Sequence, residues 1–169
     1  VSSTAKLPPP LPNTISSAPS KASRAGQPGK PSVSAKNAPF SAPVQYGDKT
    51  ALAITKASKQ LETGHGPGVF AGREYVKFDL KLTNGSDKPI DLNSVVVTTY
   101  YGSKNQLAPP IYTPSAGTSD FTGTLAPGDS ATASYGFAVP TSELGKVTMV
   151  VDFDAAHSSA TFTGAVSAS

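Results

Sequence analysis

The stretch Tyr75-Val76-Lys77-Phe78-Asp79-Leu80-Lys81-Leu82-Thr83-Asn84-Gly85 sets Val76, Phe78, Leu80 and Leu82 against the charges of Lys77, Asp79 and Lys81. A period of two with a charge at alternate positions describes a strand that has one buried and one wet face. Asn84-Gly85 then predicts a tight reversal, because both residues tolerate positive φ. A chain built around such a segment is committed to an antiparallel β domain.

The same grammar recurs downstream. Ala51–Thr55 reads as a first strand with Leu52 and Ile54 on one face, and Lys56–Glu62 as its extension or a looser edge. Ile90 and Leu92 re-enter the core after a polar connection. Val95–Tyr101 is β-branched and aromatic throughout. Pro109-Pro110 confines Gln106–Tyr112 to an edge or irregular strand. Asp120–Leu125 and Ser130–Val139 flank Ala126-Pro127-Gly128-Asp129, which has the chemistry of a type II turn. Thr141–Gly145 predicts one helical turn capped by Thr141 or Ser142. Lys146–Phe153 and Ser158–Val166 complete the series. Seven or eight short strands with turn signals between them predict an all-β, antiparallel, immunoglobulin-like β-sandwich over residues 49–169.

Residues 1–48 have a different texture. Nine of the chain's 16 prolines lie there, with Lys6, Lys21, Arg24, Lys30 and Lys36 against Asp48 alone. The other nine basic and ten acidic side chains follow, so the excess positive charge belongs to this segment. Leu7, Leu11, Ile15 and Phe40 stand as isolated apolar residues, too few to offset the entropy of ordering the chain. The expectation is a disordered low-complexity linker or stalk, with polyproline II favoured at Leu7-Pro8-Pro9-Pro10-Leu11-Pro12 and a PxxP-like run at Pro8–Leu11. Its cations are scattered and lack interleaved aromatics, which argues against a nucleic-acid partner. The chain opens without methionine, and a leader or anchor upstream is expected.

Two segments resemble a known family. Leu82-Thr83-Asn84-Gly85-Ser86-Asp87-Lys88-Pro89-Ile90-Asp91-Leu92 is similar to the "strand, Asn, polar turn, Pro, apolar" signature of telokin-like immunoglobulin-like domains. Gly123-Thr124-Leu125-Ala126-Pro127-Gly128-Asp129 followed by Tyr135-Gly136-Phe137-Ala138-Val139-Pro140 resembles their second hallmark. Such domains, of largely unknown function, occur in secreted and membrane-anchored (lipo)proteins of Gram-positive bacteria, commonly behind a low-complexity linker. The resemblance implies a β-sandwich and an extracytoplasmic or cell-surface location. It carries no catalytic residue over to this chain.

Chemistry is sparse. There is no cysteine, hence no thiolate ligand, no cysteine nucleophile and no disulfide. No serine stands in a Gly-x-Ser-x-Gly elbow. The expectation is no enzyme and no cofactor. One alternative is a copper or zinc carrier that joins His65 and His157, both placed in loops, to Asp152, Asp154 or Met149. Asp152 and Asp154 are also spaced as paired carboxylates at a strand end. A second alternative is a structural spacer. The favoured reading is a binding or adaptor module for an envelope protein or cell-wall polymer. Tyr100, Tyr101, Tyr112 and Phe121 are the aromatic group of interest; Tyr100 and Tyr101 are neighbours on a strand, so one must face outward, and with Pro109, Pro110 and Tyr112 they form the candidate interaction patch.

Overall fold

A computed structural model describes residues 21, 22, 24 and 30–169. The polyproline run Leu7–Pro12 lies outside the described residues. The strands are β1 (Val44–Gln45), β2 (Ala51–Leu61), β3 (Glu74–Thr83), β4 (Ile90–Asp91), β5 (Val96–Tyr101), β6 (Gln106–Leu107), β7 (Pro110–Ile111), β8 (Thr124–Leu125), β9 (Ser130–Phe137), β10 (Val147–Asp152) and β11 (Ala160–Gly164). The fold is all-β, its helical content among the described residues being the 3-10 turns Pro114–Ala116 and Thr141–Glu143. The strand count exceeds the seven or eight expected because two-residue pieces stand apart from the long strands. The second 3-10 turn falls where one helical turn was expected, but its N-cap is Pro140, and the Glu74 carboxylate of β3, rather than Thr141 or Ser142, accepts from Thr141 N at 3.1 Å.

Two antiparallel sheets hold most of the chain, one in the order β1-β2-β3-β9-β7 and the other β11-β10-β5-β6, with β4-β8 as a small ribbon. Their facing side chains form one core. Leu52, Val76, Phe78, Leu80, Leu82, Ala133 and Phe137 come from the first sheet, and Val147, Met149, Val151, Ala160 and Phe162 from the second. Alternation does the sorting, as expected for β3 and β9. β2 runs on past Thr55 through a bulge at Ile54/Lys56. Pro109 divides Gln106–Tyr112, so that β6 pairs with β5 in one sheet and β7 with β9 in the other. Of Asp120–Leu125, only Thr124–Leu125 is strand.

The boundary drawn at residue 48 falls inside the packed structure. Ala38, Phe40, Val44 and Tyr46 are buried in the core. The Phe40 ring lies 6.1 Å from that of Phe78 on β3 and 6.0 Å from that of Phe162 on β11, wedged between the sheets. Ala38 runs parallel to β11 beside Phe162, donating from its N–H to Thr161 O at 3.0 Å and accepting from Thr163 N at 3.0 Å. This segment thus covers an edge that would otherwise present unpaired backbone groups.

The two hallmark segments meet at Asn84. Its buried amide donates to Lys88 O at 2.7 Å and Leu125 O at 3.0 Å, and its Oδ1 accepts from Ser86 N at 3.0 Å and Ser86 Oγ at 2.6 Å. Its backbone O accepts from Gly128 N at 2.7 Å, at the turn where Gly128 takes φ 85°. Asn84-Gly85 itself is no positive-φ reversal, for neither is among the positive-φ residues. Gly85 is needed for room: a Cβ there would stand 2.1 Å from the carbonyl oxygen of Lys49. Among the described residues no helix is long and apolar enough to cross a membrane.

Candidate functional site

His157 sits 4% exposed at one end of the sandwich, which corrects its expected place in an exposed loop. Its partners come from two turns. Asp154 reaches back within the β10–β11 connection, its Oδ1 accepting from His157 N at 2.8 Å and its Oδ2 lying 2.8 Å from Nδ1. Asp48 comes from the β1–β2 turn, where Lys49 holds φ 70°. Its Oδ1 accepts from Thr50 N at 3.0 Å and its Oδ2 lies 2.6 Å from Nε2. Rings close the remaining sides, Phe153 at 5.0 Å and Tyr46 edge-on at 4.9 Å. The Tyr46 hydroxyl donates to Ser158 O at 2.6 Å.

Burial opposes a charge on His157, but hydrogen bonds and attraction from Asp154 and then Asp48 outweigh it and raise its pKa above 6.5. Burial likewise opposes ionisation of both carboxylates. For Asp48 the Thr50 amide and His157 outweigh it, for Asp154 His157 does, and both pKa values fall below 3.8. The cluster is an imidazolium clamped between two carboxylates. Both ring nitrogens are engaged, leaving no free lone pair for a metal. It forms one wall of a cleft of about 730 Å³ that Arg24, Asp87, Lys88 and Asp91 also line.

The metal-carrier set does not assemble. His157 bonds to Asp48 before β2 while His65 follows it, and an eleven-residue strand at about 3.3 Å per residue separates them by roughly 30 Å. Met149 is buried in the core. Asp152 faces other partners: Lys21 Nζ donates to it, as do Ala22 N at 2.7 Å and Arg24 Nη1 at 3.1 Å. Among the described residues no group of three or more His, Cys, Asp or Glu side chains is placed to hold an ion.

The aromatic residues divide. Tyr101 packs against the core and, with Pro109, lines a shallow hollow of about 310 Å³ beside Arg73 and Glu74. Tyr100 lies on the opposite face of β5, across from Leu107. Pro110 and Tyr112 line a different feature, a groove of about 420 Å³ on the open side of the sandwich, together with Val96, Phe121, Tyr135 and Phe137. Tyr112 is 74% and Val96 46% exposed. Phe121 is fixed there by its N–H, which donates to the Tyr135 hydroxyl at 3.2 Å.

The groove also has a free strand edge. Thr99 O accepts from Ala108 N at 2.8 Å, so odd-numbered residues of β5 aim their polar backbone groups away from β10. Among the described residues β6 pairs with β5 only at Tyr100 and Tyr101. Val97 therefore presents its N–H and C=O on the groove side. Apolar walls beside an unpaired strand edge are the ingredients of extended-peptide recognition. Sequence reasoning found Pro110, Tyr112 and Phe121; it missed Val96 and Tyr135, whose alternation marked them only as strand residues.

Residues 42–160 match the family model described as Domain of unknown function (DUF4352). No curated protein matches the chain. Among solved structures it is similar to a β-glucosidase involved in saponin metabolism from intestinal bacteria, at 16% identity and a TM-score of 0.31, over 69% of this chain and 16% of that one. The chain spans only that small share of the enzyme's length, and the likeness carries no argument. The family match covers well over half of the sequence, and the chain belongs to the DUF4352 family.

Proposed function

We propose that this DUF4352 domain is a non-catalytic, extracytoplasmic binding module that holds an extended peptide segment of an envelope protein in the groove between β5 and β7. The observation that carries the reading is the meeting of exposed Tyr112 and Val96 across one groove whose wall includes the open backbone edge at Val97. Exposed aromatic and aliphatic side chains around a concavity favour a protein partner, since burying them releases water at little cost in side-chain entropy. The envelope setting, and with it the telokin-like and Gram-positive relationship, belongs to the same reading and rests on the two hallmark segments around Asn84 and Pro127.

The test replaces Tyr112 with a photoreactive phenylalanine analogue in the source cells. Irradiation should join the domain to one protein, through one identifiable peptide, and Val96→Asp should abolish the product while leaving the fold intact. Equal cross-linking from the same analogue at Leu61, at the far end of β2, would overturn the groove. Protease treatment of intact cells addresses location: a domain that survives it while being degraded in lysates is not extracytoplasmic.

A further inference from the structure

We propose that the segment held between β5 and β7 carries an arginine, whose guanidinium pairs with Asp120 beside the rings of Tyr112 and Tyr135. This rests on the reading of the groove as a peptide-binding surface and names the chemistry that selects its partner.

The place of Asp120 follows from the segment that bears it. Ser119 exchanges both backbone hydrogen bonds with Ser134 on β9, at 2.9 and 2.8 Å. Further on, Gly123 O accepts from Leu92 N at 2.8 Å, and Gly123 N donates to Asn93 Oδ1 at 3.0 Å, just ahead of β5. Residues 119–123 therefore cross the open side from one sheet to the other. Phe121 turns into the core, its ring 6.2 Å from that of Tyr135. Its neighbour Asp120 is left exposed on the groove wall.

Charge then narrows the occupant. Among the described residues Asp120 is the one charged side chain that lines the groove, and it takes part in none of their ion pairs. Lys77 reaches this flank from β3 but lies against Gly117. Burial, and then the charges of Asp120 and Tyr112, raise the Tyr135 pKa above 10.0 against the bond from the Phe121 amide, which lowers it. The carboxylate and the two phenol rings thus share one corner. Such a corner suits a cation, and arginine above lysine, because a planar guanidinium can fork onto a carboxylate while it stacks on an aromatic face.

Backbone groups hold the rest of the segment. Ala138 N donates to Pro109 O at 2.8 Å, so by alternation the Pro110 C=O on β7 points away from β9. With Val97 on β5, the groove has open polar backbone on both of its strands. These groups pair with any sequence, whereas side chains alternate along an extended peptide, and Asp120 selects at one of its positions.

The probes are two capped peptides, Thr-Val-Arg-Val-Thr and its analogue with neutral, isosteric citrulline for arginine, titrated into the isotopically labelled full chain. The arginine peptide should shift the amide signals of Val97, Asp120 and Tyr112 and leave Leu61 unmoved. It should bind roughly 10-fold tighter than the citrulline peptide, the combined effect of an exposed ion pair and a cation–π contact. Asp120→Asn should erase that preference. Equal affinities in the unaltered chain, a preference that survives Asp120→Asn, or a groove that neither peptide perturbs overturns the proposal. A partner captured through position 112 whose cross-linked peptide holds no arginine sinks the cation subsite alone. No capture at all sinks the groove and the subsite with it.

Discussion

His157 Nε2 lies 2.6 Å from Oδ2 of Asp48, a carboxylate 109 residues earlier in the chain. That bond ties the β1–β2 turn to the β10–β11 connection, and with Asp154 on the other nitrogen it closes one end of the sandwich. An imidazolium between two carboxylates is stabilising only while all three carry charge, which makes stability depend on pH at both ends.

The sign follows from the shifts. His157 is held above 6.5, so its contribution is complete below that value and is lost as pH rises through the higher folded value. Asp48 and Asp154 are held below 3.8, so theirs is complete above that value and is lost as pH falls through the lower folded ones. Urea midpoints should therefore peak between 3.8 and 6.5 and decline on either side. His157→Gln should remove the decline on the alkaline side and cost about 3 kcal/mol at pH 6, the usual penalty for breaking a buried ion pair. A midpoint flat from pH 5 to 9 in the unaltered chain would contradict the clamp.

Phe40 is the next test, because it stands in a segment whose composition reads as linker. Its ring touches one ring from each sheet, and truncating a buried phenylalanine costs about 3–5 kcal/mol. Phe40→Ala should lower the denaturation midpoint to that extent, as much as Phe162→Ala does. A change under about 0.5 kcal/mol, typical of exposed positions, would mean that the wedge contributes nothing.

Asn84 and Gly85 separate two explanations of one dipeptide. Asn84→Ala removes a buried amide that makes four side-chain hydrogen bonds, leaving two carbonyls without their donor, at about 2–3 kcal/mol. Gly85→Ala puts a methyl against the Lys49 carbonyl, and overpacking of this kind costs about 1–3 kcal/mol. Equal thermal midpoints for Gly85→Ala and the unaltered chain would refute the crowding.

These positions show what the sequence made legible. Val76 to Leu82 and Ala131 to Phe137 declared their inward faces because alternation is a local signal. The turn at Pro127-Gly128 was equally local. The fold upstream of residue 48 was not legible: Ala38, Phe40, Val44 and Tyr46 share a spacing of two, but Pro39, Ser41 and Pro43 between them read as linker, and the rings that hold Phe40 lie on strands more than thirty residues away. His157 looked like a loop residue for the same reason, its second carboxylate being remote. Tyr112 and Pro110 were visible as exposed candidates, whereas Val96 joined them only through the sheet switch at Pro109.

Asp152 supplies the last test, because it secures the basic N-terminal segment to the outer face of β10. Its carboxylate is 4% exposed and accepts from Lys21, Ala22 and Arg24. Asp152→Asn keeps the shape and removes the charge, weakening hydrogen bonds that in charge-assisted form contribute about 1.5–3 kcal/mol each. A loss of even one such bond raises the population of the detached segment by about 10- to 100-fold. Where opening is fast relative to cleavage, proteolysis follows that population. Trypsin should then cut after Lys21 and Arg24 in the variant faster by the same factor, while cleavage after Lys146 on the opposite flank of β10 keeps its rate. High salt should leave the unaltered chain's cleavage nearly unchanged, since a buried pair is screened far less than an exposed one; equal rates for the variant and the unaltered chain would show that Asp152 does not secure the segment.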